Sequence, residues 1–152
     1  MNKKLFTAAL SLVLSTGIAL TAFSQVKPEV MVKQRQAAMT LQGKYFGPLG
    51  GMAQGRVPYD AKTVARNAGY LAALSEMPWD GFAPSAAGVK SAALPAVYSD
   101  NAKFKKAEND FQTAVAKLAA AAKGNDEAAT KTAIGAVGKT CGGCHDDFRQ
   151  KP

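Results

Sequence analysis

Apolar residues recur along this chain at intervals of three and four, which is the period of an amphipathic helix. The pattern is most regular near the C-terminus, where one stripe consists of Ile134, Val137, Cys141, Cys144 and Phe148. Because residues three and four apart lie on one face of a helix, this segment is predicted to be helical with both cysteines on its inner face.

A helix with the same period precedes it, and its stripe consists of Phe104, Ala107, Phe111, Val115, Leu118 and Ala122. Gly124 follows as a candidate C-cap, and Asn125 and Asp126 are candidate N-caps of the last helix. Two helices joined by so short a turn are predicted to form a tight helical hairpin.

A helix is also predicted near the start of the chain, over residues 29–46. Its inner stripe consists of Val32, Arg35, Gln36, Met39 and Phe46. Glycines and prolines crowd the residues that follow, and we expect irregular structure there as far as Pro58.

The next helix is predicted to begin after Asp60, a candidate N-cap, and to end before Pro78. Val64, Ala68 and Leu71 form its inner face. Residues 78–100 then contain three prolines and the only tryptophan, and they are predicted to form a long crossover. Four amphipathic helices without strand signals predict an all-α fold, a four-helix bundle whose single domain covers residues 25–152.

The distribution of charged residues excludes one class of function. The formal charge is +8, from 19 Lys and Arg against 11 Asp and Glu, but the cations are scattered singly or in pairs along the chain. A nucleic-acid-binding protein would present a continuous basic stripe, so this class is excluded.

The first 24 residues have the features of a secretory signal peptide. Lys3 and Lys4 precede an uncharged apolar stretch, and the small residues Ala22 and Ser24 flank Phe23 at its end. We expect cleavage before Gln25 and export of the remaining chain without a membrane anchor.

Both cysteines and the only histidine fall within one five-residue segment, Cys141-Gly142-Gly143-Cys144-His145. Cys-x-x-Cys-His is the attachment signature of c-type haem. In that chemistry two thiols form thioethers with the porphyrin, and the adjacent imidazole becomes an axial ligand of the iron. Gly142 and Gly143 are expected to leave room for the macrocycle beside the helix.

Three other interpretations of the motif remain open: a redox dithiol, a zinc site and a simple disulfide. A thioredoxin-like dithiol requires a βαβ context, which an all-helical chain lacks. A structural zinc site requires a fourth ligand such as Asp146. A simple disulfide suits an exported protein but leaves His145 without a role.

The position of this motif at the end of an all-helical domain resembles the class II c-type cytochromes, and most closely the cytochromes c′. The other segments that carry the resemblance are Lys27-Pro28-Glu29, Arg35-Gln36, Pro58-Tyr59-Asp60-Ala61, Leu74-Ser75 with Pro78-Trp79, Phe82, and His145-Asp146 with Phe148-Arg149. Together they span nearly all of the chain after residue 24.

The resemblance implies a left-handed antiparallel bundle, a homodimer, and one covalent haem c per chain with pentacoordinate iron in the periplasm. It implies thioethers at Cys141 and Cys144 and an axial ligand at His145. The corresponding haem-pocket residues are Arg35, Gln36, Met39, Phe82 and Arg149, with Arg35 and Gln36 matching positions that contact the haem propionates.

The function that the resemblance implies is reversible binding of nitric oxide and carbon monoxide, with a capacity for electron transfer and no enzymatic activity of the peroxidase type. Met39 leaves an alternative open, because a thioether can occupy the sixth position of the iron and give a low-spin electron carrier. In that alternative Lys103, Lys105 and Lys106 are candidates for docking an acidic redox partner.

Overall fold

The computed structural model describes residues 26–124 and 126–151, and the predicted cleavage before Gln25 therefore lies outside the described residues. Four long helices dominate the described chain: α1 (Pro28–Ala53), α2 (Ala61–Leu74), α3 (Asn101–Ala121) and α4 (Glu127–Phe148). They pack in ring order, since α1 contacts α2 and α4 while α3 contacts the same two helices. The predicted all-α four-helix bundle is confirmed.

The main core fills the centre of this ring. Its largest fully buried side chains are Leu49, Leu71, Leu118 and Ile134, one from each of the four helices. A smaller cluster of Val97, Phe104 and Phe148 lies beneath the crossover. Within the described residues, none of the helices combines the length and the apolar character that crossing a bilayer requires.

Helix α1 is longer than the sequence predicts, because it continues past Phe46 to Ala53 through glycines and Pro48. Burial explains the difference: Leu49 is 0% exposed and Met52 is 7% exposed, so the added turns cover the core. Pro48 and Lys44 lie on the exposed side, where water can solvate the Lys44 carbonyl that lacks a helical partner.

Gly55 lies two residues after the end of α1, and its φ of 70° is the left-handed conformation that glycine adopts without strain. The Arg56 N–H donates to the Gly51 carbonyl at 2.9 Å, and the Gly55 N–H donates to the Met52 carbonyl at 3.1 Å. This is a Schellman motif, and it turns the chain toward α2.

The predicted N-caps of α2 and α4 are present. Asp60 accepts from the Lys62 N–H at 3.0 Å, and Asp126 accepts from the Ala129 N–H at 2.9 Å. Helix α3 ends at Ala121 with Ala122 as its C-cap, so Gly124 lies in the turn and is not the cap that the sequence suggests.

The crossover between α2 and α3 consists of short turns. Two are 3₁₀ turns, Trp79–Phe82 and Pro84–Ala86, and a single α-helical turn covers Ala96–Ser99. Ala93 forms an isolated antiparallel bridge with Arg149, which joins the crossover to the residues that follow α4. This pairing is the only β-type contact in the described chain.

Gly81 allows the crossover to approach α1 closely. A Cβ at this position would lie 2.5 Å from the Arg35 Cβ and 2.8 Å from the Met31 carbonyl oxygen. Since the second contact is with backbone, the crossover must move away to accept any side chain.

We therefore predict that Gly81→Ala lowers the free energy of unfolding by about 1–3 kcal/mol, the usual cost of overpacking. Gly88→Ala is the matched control, because a Cβ at Gly88 would meet no atom within 4 Å. Urea denaturation followed by circular dichroism measures both variants, and equal stability of the two would contradict the prediction.

Candidate functional site

A cavity of about 580 Å³ lies between α1, the crossover, α3 and α4. This volume falls within the range of roughly 300–1,000 Å³ that is typical of cofactor and ligand sites. Every haem-site residue that the resemblance implies contributes to its wall, namely Arg35, Gln36, Met39, Phe82, Cys141, Cys144, His145 and Arg149.

Helix α4 supplies both thiols and the imidazole. Cys141 and Cys144 are half-buried, and His145 is more exposed at the edge of the cavity. The spacing of three and four residues places these three side chains on one face, as predicted. Gly142 and Gly143 are exposed and do not line the cavity, so the expectation that they make room beside it was wrong.

Cys141 and Cys144 are not joined by a disulfide, and their surroundings disfavour the thiolate form of each. Burial, with a smaller contribution from Cys144, raises the pKa of the Cys141 thiol to about 11. Burial followed by the nearby Asp147 carboxylate raises the pKa of the Cys144 thiol.

The environment of His145 favours the neutral ring. Partial burial and the neighbouring Arg149 lower its pKa, and Asp146 partly opposes them. A neutral imidazole has the lone pair that a metal ion requires. Within residues 26–124 and 126–151, no three His, Cys, Asp or Glu side chains converge to hold a metal ion, which leaves the zinc reading without support.

Helix α1 forms the facing part of the wall. Arg35 is only 3% exposed, and Met39 and Phe46 are half-buried, whereas Gln36 is exposed at the edge. Gln42 is buried and donates to the Leu74 carbonyl at 2.8 Å.

Arg35 is buried among neutral groups. Its Nη1 donates to the Gly81 carbonyl and, at 3.5 Å, to the Tyr98 hydroxyl, while its Nη2 donates to the Ser91 hydroxyl at 2.8 Å. The guanidinium carbon also lies 4.3 Å from the centre of the Phe82 ring. The resemblance implies haem propionates as anionic partners of this cation, and the described protein residues supply only neutral acceptors and an aromatic face.

An aromatic cluster forms the third part of the wall. Trp79 lies 6.1 Å from Phe104 and 6.3 Å from Phe111, measured between ring centres and with edge-to-face geometry. The Trp79 indole N–H donates to the Ser75 carbonyl at 2.6 Å, so the ring is fixed to the end of α2.

The cavity wall contains positively charged side chains and no negatively charged ones. Arg35 and Arg149 both line the cavity, and no Asp or Glu does. Two cations without a carboxylate favour a ligand that carries its own negative charge. Paired thiols, a neutral imidazole, aromatic walls and two arginines together fit a haem, whose propionates supply that charge.

Comparison with known proteins agrees with this fit. The family model described as Cytochrome C' matches residues 30–149. The cytochrome c' of Rubrivivax gelatinosus is 44% identical over 126 residues, which cover 82% of this chain and 98% of that relative. The chain belongs to the cytochrome c′ family.

Solved structures of the family share the fold. The crystal structure of the Rubrivivax gelatinosus cytochrome c′ has a TM-score of 0.78, with 82% of this chain and 98% of that chain covered. A variant of the Alcaligenes xylosoxidans cytochrome c′ in complex with nitric oxide is 39% identical and has a TM-score of 0.77, with 84% and 98% covered. A carbon monoxide complex of another variant is 40% identical with a TM-score of 0.76, covering 83% and 98%.

Membership of this family confirms the predicted cofactor, a covalent haem c with its iron. The cavity residues that sequence reasoning missed come from all three helices of the wall and from the crossover. Gln42 could have been found, because it lies seven residues after Arg35 on the same face of α1. Ser91, Ala93 and Phe104 carry no motif that marks them as cavity residues.

Substitution of Arg35 tests whether its forked hydrogen bonding stabilises the fold. Arg35→Lys keeps the charge but cannot reach the Gly81 carbonyl and the Ser91 hydroxyl together, because an ammonium lacks the forked guanidinium geometry. We expect a loss of about 1.5–3 kcal/mol in the free energy of unfolding. Thermal and urea unfolding measure it, and the exposed Arg56→Lys is the control; matching losses would show that the fork has no special role.

Proposed function

We propose that this chain is a periplasmic haem c protein that binds nitric oxide and carbon monoxide at pentacoordinate, high-spin iron and is capable of electron transfer. The observation that carries the proposal is a single cavity lined by Cys141, Cys144 and His145 from α4 and by Met39 from α1, with two arginines and no carboxylate. Gas complexes of the related Alcaligenes xylosoxidans protein support the choice of ligands.

In this proposal Cys141 and Cys144 hold the haem by thioethers, and His145 is the axial ligand. Bound haem iron supplies an open coordination position and a reversible change of oxidation state. The contribution of α4 is rigidity, since the three side chains project from consecutive turns of one helix whose far end is fixed by the Asp126 cap.

Several hydrogen-bond donors in the cavity wall are already engaged within the protein, which disfavours polar ligands. Trp79 donates to the Ser75 carbonyl, Gln42 to the Leu74 carbonyl, and the Thr40 and Thr140 hydroxyls to carbonyls of their own helices. Small, weakly polar gases therefore suit this cavity.

The same wall argues against peroxidase activity. Such activity needs a side chain free to polarise bound peroxide. Arg35 instead donates hydrogen bonds to Gly81, Ser91 and Tyr98, so its guanidinium is already engaged. We propose that the protein acts as a gas-binding and electron-transfer protein and not as an enzyme.

The alternative is a low-spin electron carrier in which Met39 is the sixth ligand. Met39 is half-buried in the part of the cavity wall that faces α4, as this alternative requires. The lysines suggested for partner docking are each ion-paired within the chain, Lys103 with Asp147, Lys105 with Glu108 and Lys106 with Asp110. These pairs reduce the positive charge available to an acidic redox partner, which remains unidentified.

Gas titration of the purified protein tests the proposed function directly. The purified protein should retain haem on the denatured polypeptide, and its ferrous optical spectrum should be high-spin and change when nitric oxide or carbon monoxide is added. Optical and electron paramagnetic resonance titrations measure this. A spectrum unchanged by both gases would overturn gas binding.

Two variants distinguish a Met39 that binds the iron from one that does not. If Met39 does not bind iron, Met39→Leu and the control Met31→Leu should both keep the high-spin spectrum, because Met31 lies on α1 outside the cavity. A low-spin parent protein that becomes high-spin only in Met39→Leu would establish the electron-carrier alternative.

The proposal also includes a homodimer formed through α1 and α2. Val30 and Leu41 on α1 are 41% and 40% exposed, and Tyr70 on α2 is 47% exposed. Tyr70 packs against Tyr45 with ring centres 4.8 Å apart, and Tyr45 follows Leu41 by one helical turn. These residues form one exposed apolar face.

Leu41→Glu is expected to convert the dimer to a monomer, because it puts a charge into the centre of this face. Ala116→Glu places the same charge on the exposed side of α3 and is the control. Sedimentation velocity reports the mass of each variant, and a dimer that survives Leu41→Glu would exclude this face.

A further inference from the structure

Residues 83–94 of the crossover form a strap, and residues near its end cover one side of the cavity. Ser91, Ala92 and Ala93 near its end contribute directly to the cavity wall. The strap therefore separates the interior of the cavity from solvent on that side.

A side-chain hydrogen bond joins the strap to α1. The Arg35 Nη2 donates to the Ser91 hydroxyl at 2.8 Å, across 56 residues of sequence. The Ser91 oxygen also accepts from the Ala93 N–H at 3.3 Å, which fixes the local turn. Because Arg35 is itself buried and bonded to the Gly81 carbonyl, Ser91 is attached to a rigid support.

Two backbone hydrogen bonds join the strap to the end of α4 and the residues that follow it. The Leu94 N–H donates to the Phe148 carbonyl at 2.9 Å, and the Gln150 N–H donates to the Ala92 carbonyl at 2.7 Å. The antiparallel bridge between Ala93 and Arg149 lies between these two bonds.

The first half of the strap is held more weakly. The backbone hydrogen bonds made by the Ala86, Ala87 and Val89 N–H groups are all to carbonyls three residues earlier. Ala86 is buried, but most of its neighbours are exposed. Segments with few buried contacts and local hydrogen bonds open at lower free energy than the core.

We propose that the strap opens locally to admit small ligands to the cavity, and that the Arg35–Ser91 hydrogen bond is the latch that restrains it. Ser91 is thus a positioning residue: it holds the strap on α1 and needs no contact with the ligand. Opening separates Ser91 from Arg35 and breaks the short backbone pairing with Phe148 and Gln150, while the helices keep their packing.

The decisive measurement is amide hydrogen exchange of the haem-loaded protein. In Ser91→Ala, the Leu94 and Gln150 amides should exchange about tenfold faster, as expected when a hydrogen bond to a charged group is lost. Val115, in the core of α3, should keep its parent rate, which shows that the opening is local.

Two further variants make the result specific. Ser91→Thr retains the hydroxyl and should restore slow exchange. Ser85→Ala removes an exposed hydroxyl of the same strap that takes part in none of the hydrogen bonds of the described residues, and it should match the parent. Parent-like exchange of Leu94 and Gln150 in Ser91→Ala would overturn the latch.

Carbon monoxide entry tests the role of the opening, and this part rests on the proposed function. Rebinding after flash photolysis of the ferrous protein should be several-fold faster in Ser91→Ala and parent-like in Ser91→Thr and Ser85→Ala. Unchanged rebinding alongside faster exchange would overturn entry through the strap. Failure of the parent to bind carbon monoxide would instead refute the proposed function, and the exchange result would still decide the latch.

Discussion

Arg35 is a cation buried at the meeting point of α1, the crossover and the cavity. Burial of an unpaired charge is costly, and here the cost is offset by the Gly81 carbonyl, the Ser91 hydroxyl and the face of Phe82. Each of these partners belongs to the crossover, so the same contacts that stabilise the cation fix the crossover against α1. The absence of a glycine side chain at Gly81 makes this approach possible.

The cavity exists because the bundle is filled unevenly. Leu49, Leu71, Leu118 and Ile134 close the centre of the ring. Toward the C-terminal end of α4 the core gives way to thiols, aromatic edges and the crossover, which together leave space between α1 and α4. The site therefore lies beside a tightly packed core, which gives it rigid walls.

Much of this arrangement is predictable from the sequence. The stripes of α3 and α4 and the caps Asp60 and Asp126 follow from helical period and hydrogen-bonding chemistry, because both are local properties. The Cys-x-x-Cys-His motif identifies three residues that the fold brings to one cavity. These features need no knowledge of distant contacts.

The remaining features depend on tertiary contacts that have no local signature. The continuation of α1 beyond Phe46 is driven by burial of Leu49 and Met52, which outweighs unfavourable glycine and proline propensities. Ser91 lies in an aperiodic segment, and nothing near it in sequence indicates that Arg35 is its partner. The exposed orientation of Gly142 and Gly143, in contrast, could have been predicted, because placing Cys141 and Cys144 on the inner face turns the two residues between them outward.

The sequence separation of the strap contacts implies an order of folding. Helices α3 and α4 are adjacent in sequence and pack extensively, so their hairpin requires little loop-closure entropy. The bonds from Arg35 to Gly81 and Ser91 span 46 and 56 residues, and contacts of this range form late. Loop closure therefore favours formation of the α3–α4 hairpin, with the face that carries Cys141 and Cys144, before the strap closes over the cavity.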